Sequence, residues 1–484
     1  MKKRIHLICN AHLDPVWQWE WEEGAAEALS TFRIAADFCE EYDGFIFNHN
    51  EAILYRWIEE YEPSLFRRIQ RLVKEGKWHI MGGWHVQPDC NMPCGESFVR
   101  QILDAQNYFR EKFDVIPTTA INFDPFGHTR GLVQILTKCG YDSYVICRPG
   151  GECPVPDELF AWVGYDGSQV DVLRFPGYNT GRGHAVHKVH YMLENRPQDN
   201  PLPCLWGVGN HGGGPSRIDL EQLAALKKEL AEQDMELIHS TPEEFFAEMR
   251  RTGKVLPRYE GDLNPCFPGC YTSMIRIKQK HRALENTLYL TEKMCTQAVQ
   301  AGQMTWPEQE LAEAAYDLLT AQFHDILPGS SIEKVYEDSM EQYEQVLASD
   351  ASLIGDAQNA LAALVRADGD GVLVFNQLGF ARDALVRVPV EAPVAGVLAD
   401  GRPLPFRWAD GELCFVAAEL PAKGWRHYRF AGCASAPVPF AQVSEDGRRI
   451  TTPFYEAELD ACGAFTRLYD TAAQREVLKP GARG

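Results

Sequence analysis

The chain has 484 residues, of which 45% are hydrophobic, 24% charged and 11% aromatic. That composition supplies ample material for buried cores and suits roughly three domains of about 150 residues. Its 47 Lys and Arg stand against 68 Asp and Glu, a formal net charge of −21, which argues against a nucleic-acid backbone or an anionic membrane as the main partner. No apolar run approaches the roughly 20 residues of a membrane span. The basic start Met-Lys-Lys-Arg is followed by only Ile5 to Cys9 before Asn10 and His12, whereas a signal peptide needs about 7 to 15 apolar residues. A first strand and a cytoplasmic protein are the expectation. The 14 cysteines read as small core residues of a reduced protein, and the spacings Cys90/Cys94 and Cys266/Cys270 match no zinc motif.

In chain order, short apolar runs at 5–9, 45–48, 78–81, 118–122, 143–147, 204–208 and 236–239 predict strands. Amphipathic stretches at 22–41, 51–74, 96–113, 132–138 and 218–232 predict helices between most of them. Thr241-Pro-Glu-Glu opens a further helix with a capping residue, Pro at the first position and an acidic first turn. This alternation predicts a parallel sheet, open or closed into a barrel, with ligands at the carboxyl ends of its strands. From about 274 to 364 the pattern is helical throughout, with helices at 274–300, 307–324 and 332–364, enough for an antiparallel bundle. Ala367-Asp-Gly-Asp-Gly-Val marks a break into β-rich runs with turn signals such as Asp400-Gly. Past Ala436-Pro-Val-Pro another β pattern begins, about 45 residues that cannot bury much of a core alone, so the chain's end reads as an interruption. The expected domains are 1–265, 266–366, 367–438 and an incomplete 439–484.

Four segments carry candidate chemistry. Asn10-Ala-His12-Leu-Asp14-Pro-Val-Trp17 follows the first strand. If extended backbone continues, His12 and Asp14 share a face and offer half of a divalent metal site; a hydrogen-bonded loop pair is the plain alternative. Asn122-Phe-Asp124-Pro-Phe126-Gly-His128 follows the fourth strand, where Asp-Pro also initiates turns. Phe323-His324-Asp325-Ile-Leu-Pro-Gly329 closes the second bundle helix and could project into a domain crevice. His12, Asp14, Asp124 and His324 together make a nitrogen and oxygen shell suited to zinc. Residues 207–215, Gly-Val-Gly-Asn210-His211-Gly-Gly-Gly-Pro, lack the P-loop ending and the dinucleotide spacing, so close backbone approach to a neutral ligand is expected. The nearby aromatics Trp17, Trp19, Trp21, Trp84 and Phe126 could stack on sugar faces or fill the core.

In this combination the four segments resemble glycoside hydrolase family 38, the class II α-mannosidases, in its bacterial and cytosolic branch. The stretch Gly269-Cys-Tyr-Thr-Ser with Arg276, Lys278, Arg282 and Glu285 is similar to that family's entry into its helical domain, and Val374-Phe-Asn-Gln-Leu-Gly and Glu456-Ala-Glu-Leu-Asp to its β regions. The resemblance implies a multidomain chain: a seven-stranded α/β barrel, a three-helix bundle, then all-β, sandwich-like domains. It implies one zinc ion per chain held by His12, Asp14, Asp124 and His324. It makes Asp124 the nucleophile of a retaining hydrolase of α-linked mannose, with Trp17, Phe126 and Asp325 binding the sugar of a mannose-containing oligosaccharide. Many relatives carry Asp where this chain has Asn210, and an Asn donates no catalytic proton; His211, or alternatively Asp262, is the expected acid/base. Relatives also continue for several hundred residues, so this chain is expected to be truncated. A metal-dependent carbohydrate deacetylase and an inactive glycan-binding remnant are the competing readings, and self-association into a homo-oligomer is left open.

Overall fold

The computed structural model describes residues 3–196, 201–209, 211–390, 394–409, 411–431 and 441–484. Asn210 and the Ala436–Pro439 break therefore fall outside the described residues. The chain forms two compact units, one of residues 1–292 with 307–353 and one of 293–306 with 354–484.

The first unit alternates strand and helix: β1 (Lys3–Cys9), α1 (Trp21–Glu41), β2 (Phe47–His49), α2 (Ala52–Tyr61), α3 (Pro63–Lys74), β3 (Trp78–Ile80), α4 (Gly95–Phe113), β4 (Thr119–Asn122), α5 (Leu132–Lys138) and β5 (Ser143–Ile146). Then come β6 (Leu159–Val163), β7 (Gln169–Arg174), α6 (Ala185–Asn195), β8 (Leu202–Trp206), α7 (Arg217–Glu232), β9 (Met235–His239), α8 (Pro242–Arg251) and β10 (Arg258–Tyr259). All seven expected strands are present. The expected helix over 51–74 is instead two helices, because Pro63 excludes helical geometry at Glu62, whose φ of −139° and ψ of 68° break the chain's course. The β6–β7 hairpin and α6 went unforeseen.

Two sheets result. In one, β3, β2, β1 and β8 lie side by side with β9 also pairing β1, all parallel. In the other the order is β10-β6-β7-β5-β4, with only β6 and β7 antiparallel. Strand β1 shows how they relate. Ile5, Leu7 and Cys9 pack outward with Phe32, Phe47 and Trp78. Ile8, on the opposite face, joins Ile121, Val145, Leu173 and Leu205 from β4, β5, β7 and β8. The period-two alternation of strands thus builds one inner layer shared by both sheets. The Gly82 N–H donates to the Thr119 carbonyl at 3.2 Å, linking the β3 and β4 edges.

Three helices follow: α9 (Ile275–Gln300), α10 (Glu308–Thr320) and α11 (Glu333–Ala362). The second was expected to run to His324. It ends at Thr320, because residues 322–324 turn away to pair with the Gln87–Asp89 segment: the Asp89 N–H donates to the Gln322 carbonyl at 2.8 Å and the His324 N–H to the Gln87 carbonyl at 3.2 Å. The second unit is rich in antiparallel strands. They include Gly371–Asn376 paired with Gly424–Ala431, Arg382–Pro389 paired with Glu412–Leu420, and Tyr455–Leu459 paired with Phe465–Asp470. The expected Asp400-Gly401 turn joins two of its strands with positive φ at both residues, as a tight hairpin requires. Among the described residues no helix is long and apolar enough to cross a membrane.

Gly24 ties α1 to the loop after β1: a Cβ there would lie 2.0 Å from the Pro15 carbonyl oxygen. Gly24→Ala is expected to lower the unfolding free energy by about 1–3 kcal/mol in urea titrations. Gly355→Ala in α11, where the added methyl meets nothing within 4 Å, should instead raise it by about 0.5–1 kcal/mol.

Candidate functional site

The strands of the first unit deliver their polar residues to one end. After β1 the backbone stays extended, and Leu13 forms a bridge with His211. His12 and Asp14 consequently point the same way, with His12 Nε2 2.9 Å from Asp14 Oδ1. His324 arrives from the segment paired with Gln87–Asp89, and its Nε2 lies 3.4 Å from the same Asp14 oxygen. All three side chains are buried, and their ligating atoms lie within 4.8 Å of one another. His324 Nδ1 lies 2.8 Å from the Gln87 carbonyl, which places its proton there and leaves the Nε2 lone pair facing the cluster. The Trp19 indole N–H donates to the Asp14 carbonyl at 3.0 Å and steadies the loop.

His12 Nε2, Asp14 Oδ1 and His324 Nε2 are buried, and their approaches to one another at 2.9 and 3.4 Å lack hydrogen-bond geometry. Three convergent, orphaned donor atoms of these types are what a divalent cation satisfies, so the residues fit a metal. The electrostatics agree. Burial opposes charge on His324, yet the surrounding Asp14, Asp325 and Asp124 carboxylates outweigh it and raise the pKa to about 10. Burial likewise opposes ionisation of Asp14, but His12 and His324 hold it down to about 2. The cluster attracts positive charge.

Asp124, at the end of β4, lies beside this group rather than in it. Its Oδ1 accepts from the Arg148 Nε–H. Arg148 follows β5 and is stacked over Phe267 at 5.1 Å and Phe126 at 6.0 Å. Phe126 is buried, its ring centroid 6.3 Å from that of His324. Trp17 is half-buried, edge-on to Trp19 at 5.7 Å. Asp325 is buried with its carboxylate bonded by Ser330 Oγ; burial pushes its pKa up to about 6, against the pull of His324.

Gly207 and Gly209 of the glycine-rich loop pack on the chain itself. A Cβ at Gly207 would sit 2.0 Å from the Asn10 carbonyl oxygen, and one at Gly209 2.9 Å from the His12 nitrogen, so glycine is required for the loop to lie on the loop after β1. His211 is half-exposed, its ring 4.2 Å from Trp19 and its Nε2 2.7 Å from Glu23 Oε1. Asp262 is exposed and accepts the Arg130 N–H at 2.7 Å. Cys90, Cys94, Cys266 and Cys270 carry free thiols.

Four site residues escaped the sequence reading: Glu51 after β2, Gln87 after β3, Arg148 after β5 and Tyr178 after β7. Each stands alone in sequence, and the one available signal was its place just past a strand's carboxyl end. Tyr178 covers the His12 ring at 4.4 Å.

Comparison with known proteins bears on this site. A family model described as "Glycosyl hydrolases family 38 N-terminal domain" matches residues 2–262, and one described as "Alpha mannosidase middle domain" matches 266–361. The chain is 27% identical over 500 residues to alpha-mannosidase 2C1 of Mus musculus, covering 99% of this chain and 45% of that protein. It is 31% identical over 363 residues to alpha-mannosidase G of Dictyostelium discoideum, covering 74% and 33%. The chain thus spans less than half the length of either relative. A solved structure of an alpha-mannosidase from Enterococcus faecalis V583 superposes with a TM-score of 0.83 at 16% identity, over 98% of this chain and 61% of that one, a likeness of fold.

Proposed function

Since the chain belongs to glycoside hydrolase family 38, as a class II α-mannosidase, we propose that it hydrolyses α-linked mannose in oligosaccharides with retention, using a zinc ion held by His12, Asp14, Asp124 and His324. The observation that carries this is the buried group of three orphaned ligand atoms with the Asp124 carboxylate beside it. The same reading takes residues 1–265 as a seven-stranded barrel around the inner layer of Ile8, Ile121, Val145, Leu173 and Leu205. Residues 266–366 are then the three-helix domain, followed by β units at 367–438 and 439–484.

Retention requires two displacements. In the first, an Asp124 oxygen attacks the anomeric carbon; a carbon–oxygen ester bond forms as the glycosidic bond breaks, and the leaving oxygen takes a proton from the acid. Arg148 holds Oδ1 of Asp124; that oxygen, with its second lone pair, would be the one shared with the metal, which leaves the other oxygen for attack. His211, backed by Glu23, is the proposed proton donor, and in the second displacement it takes a proton from the water that attacks the anomeric carbon as the ester bond to Asp124 breaks. When bound, zinc would supply Lewis acidity, polarising sugar hydroxyls and stabilising the negative charge that builds on their oxygens. Asp325 accepts from the sugar hydroxyls, and Trp17 and Phe126 line the ring.

After dialysis against zinc, the protein should retain stoichiometric metal by elemental analysis, and His324→Ala and Asp14→Asn should lose it; equal retention in these variants would remove the proposed site. Metal-replete Asp124→Asn should lose at least about 10³-fold in kcat on an aryl α-mannoside. His211→Ala should lower kcat/KM for an alkyl mannoside by about 10²–10⁴-fold while sparing kcat/KM for a dinitrophenyl mannoside, whose leaving group needs no proton; kcat on the latter should still fall, because the second displacement loses its base. A uniform loss of kcat/KM on both substrates would reassign the acid/base.

A further inference from the structure

Glu51 is fully buried, directly after β2. Its backbone has φ 67° and ψ 103°, a conformation that costs a non-glycine residue of order 1–3 kcal/mol and tends to persist where function requires it. Its Oε1 accepts from the Gln87 amide at 2.7 Å, while Oε2 is buried with no hydrogen-bond partner. Among the described residues no Lys or Arg forms an ion pair with it. A buried carboxylate so placed is costly unless positive charge lies near.

Gln87 connects this carboxylate to the metal-binding histidines. Its side-chain oxygen accepts the Phe123 N–H at 2.6 Å, which orients its NH₂ group toward Glu51. The same nitrogen lies 3.0 Å from His12 Nδ1, and the Gln87 main-chain carbonyl faces His324 Nδ1 at 2.8 Å. One residue therefore touches the outer nitrogen of both histidines, and Glu51 and the Phe123 N–H anchor its side chain.

From this geometry we infer that Glu51 is a positioning residue of the metal site: it holds Gln87, whose main-chain carbonyl orients His324, and its buried negative charge, with that of Asp14, balances a divalent cation. The inference rests on the metal site proposed above. Outer carboxylates of this kind typically change metal affinity by about 10–100-fold when removed.

The test is zinc affinity of the full chain, measured by competition with a chromophoric chelator, for wild type, Glu51→Gln and Glu51→Asp. Glu51→Gln should bind about 10–100-fold more weakly, with a cobalt-substituted absorption spectrum shifted from wild type, while the metal-stripped variant melts close to the metal-stripped wild type. Glu51→Asp, which keeps the charge and shortens the reach, should fall between them and serves as the readout if Glu51→Gln does not fold. Affinity within twofold of wild type in whichever variant folds, with an unchanged cobalt spectrum, overturns the role of Glu51. Failure of the wild type itself to bind zinc or cobalt overturns the underlying metal site instead.

Discussion

Leaving a polar atom buried without a hydrogen bond costs about 1–3 kcal/mol, and more when the group is charged. At the end of the first unit, His12 Nε2, Asp14 Oδ1 and His324 Nε2 all stand in that condition within 4.8 Å of one another. The rest of the structure holds them there. The extended backbone after β1 sets His12 against Asp14, Trp19 fixes the Asp14 carbonyl, and the pairing of residues 322–324 with 87–89 brings His324 across. Even the glycines at 207 and 209 serve this arrangement, since any side chain there would push the covering loop off the Asn10–His12 backbone.

Charge follows the same logic. Asp14, Asp124, Asp325 and Glu51 gather in a region shielded from water, where each carboxylate is felt strongly. Arg148 answers Asp124; Asp14, Asp325 and Asp124 together draw positive charge toward His324. Such a site favours a cation and, on the proposed function, the positive character that a sugar ring acquires as its glycosidic bond breaks. The net charge of −21 plays no part in this; the local arrangement of four carboxylates does.

Periodicity made most of the fold legible. Runs such as 5–9 and 143–147 read as buried strands, and α1 and α4 match their expected bounds within a residue. Errors came where a local rule met a competing one. Pro63 split a continuous amphipathic pattern, and the β6–β7 hairpin hid in a stretch broken by Pro and Gly between 149 and 168. The helix expected to reach His324 stopped at Thr320 because residues 322–324 found backbone partners in another segment. In the site, His12, Asp14 and His324 met as the motifs implied, whereas the Arg148 contact to Asp124 and the Glu51–Gln87 link had no motif to announce them.

The amino-acid sequence alone determined the alternating strand and helix order, the family resemblance and the motifs that carry the clustered His12, Asp14 and His324, because these depend on side-chain periodicity and on residue types a few positions apart. Only the tertiary structure decided which single residues past the ends of β2, β3 and β5 face that cluster, and that the glycine-rich loop packs on its own chain. Those outcomes rest on strand register and on contacts between segments 36 to 237 residues apart, distances at which one-dimensional patterns carry no geometry.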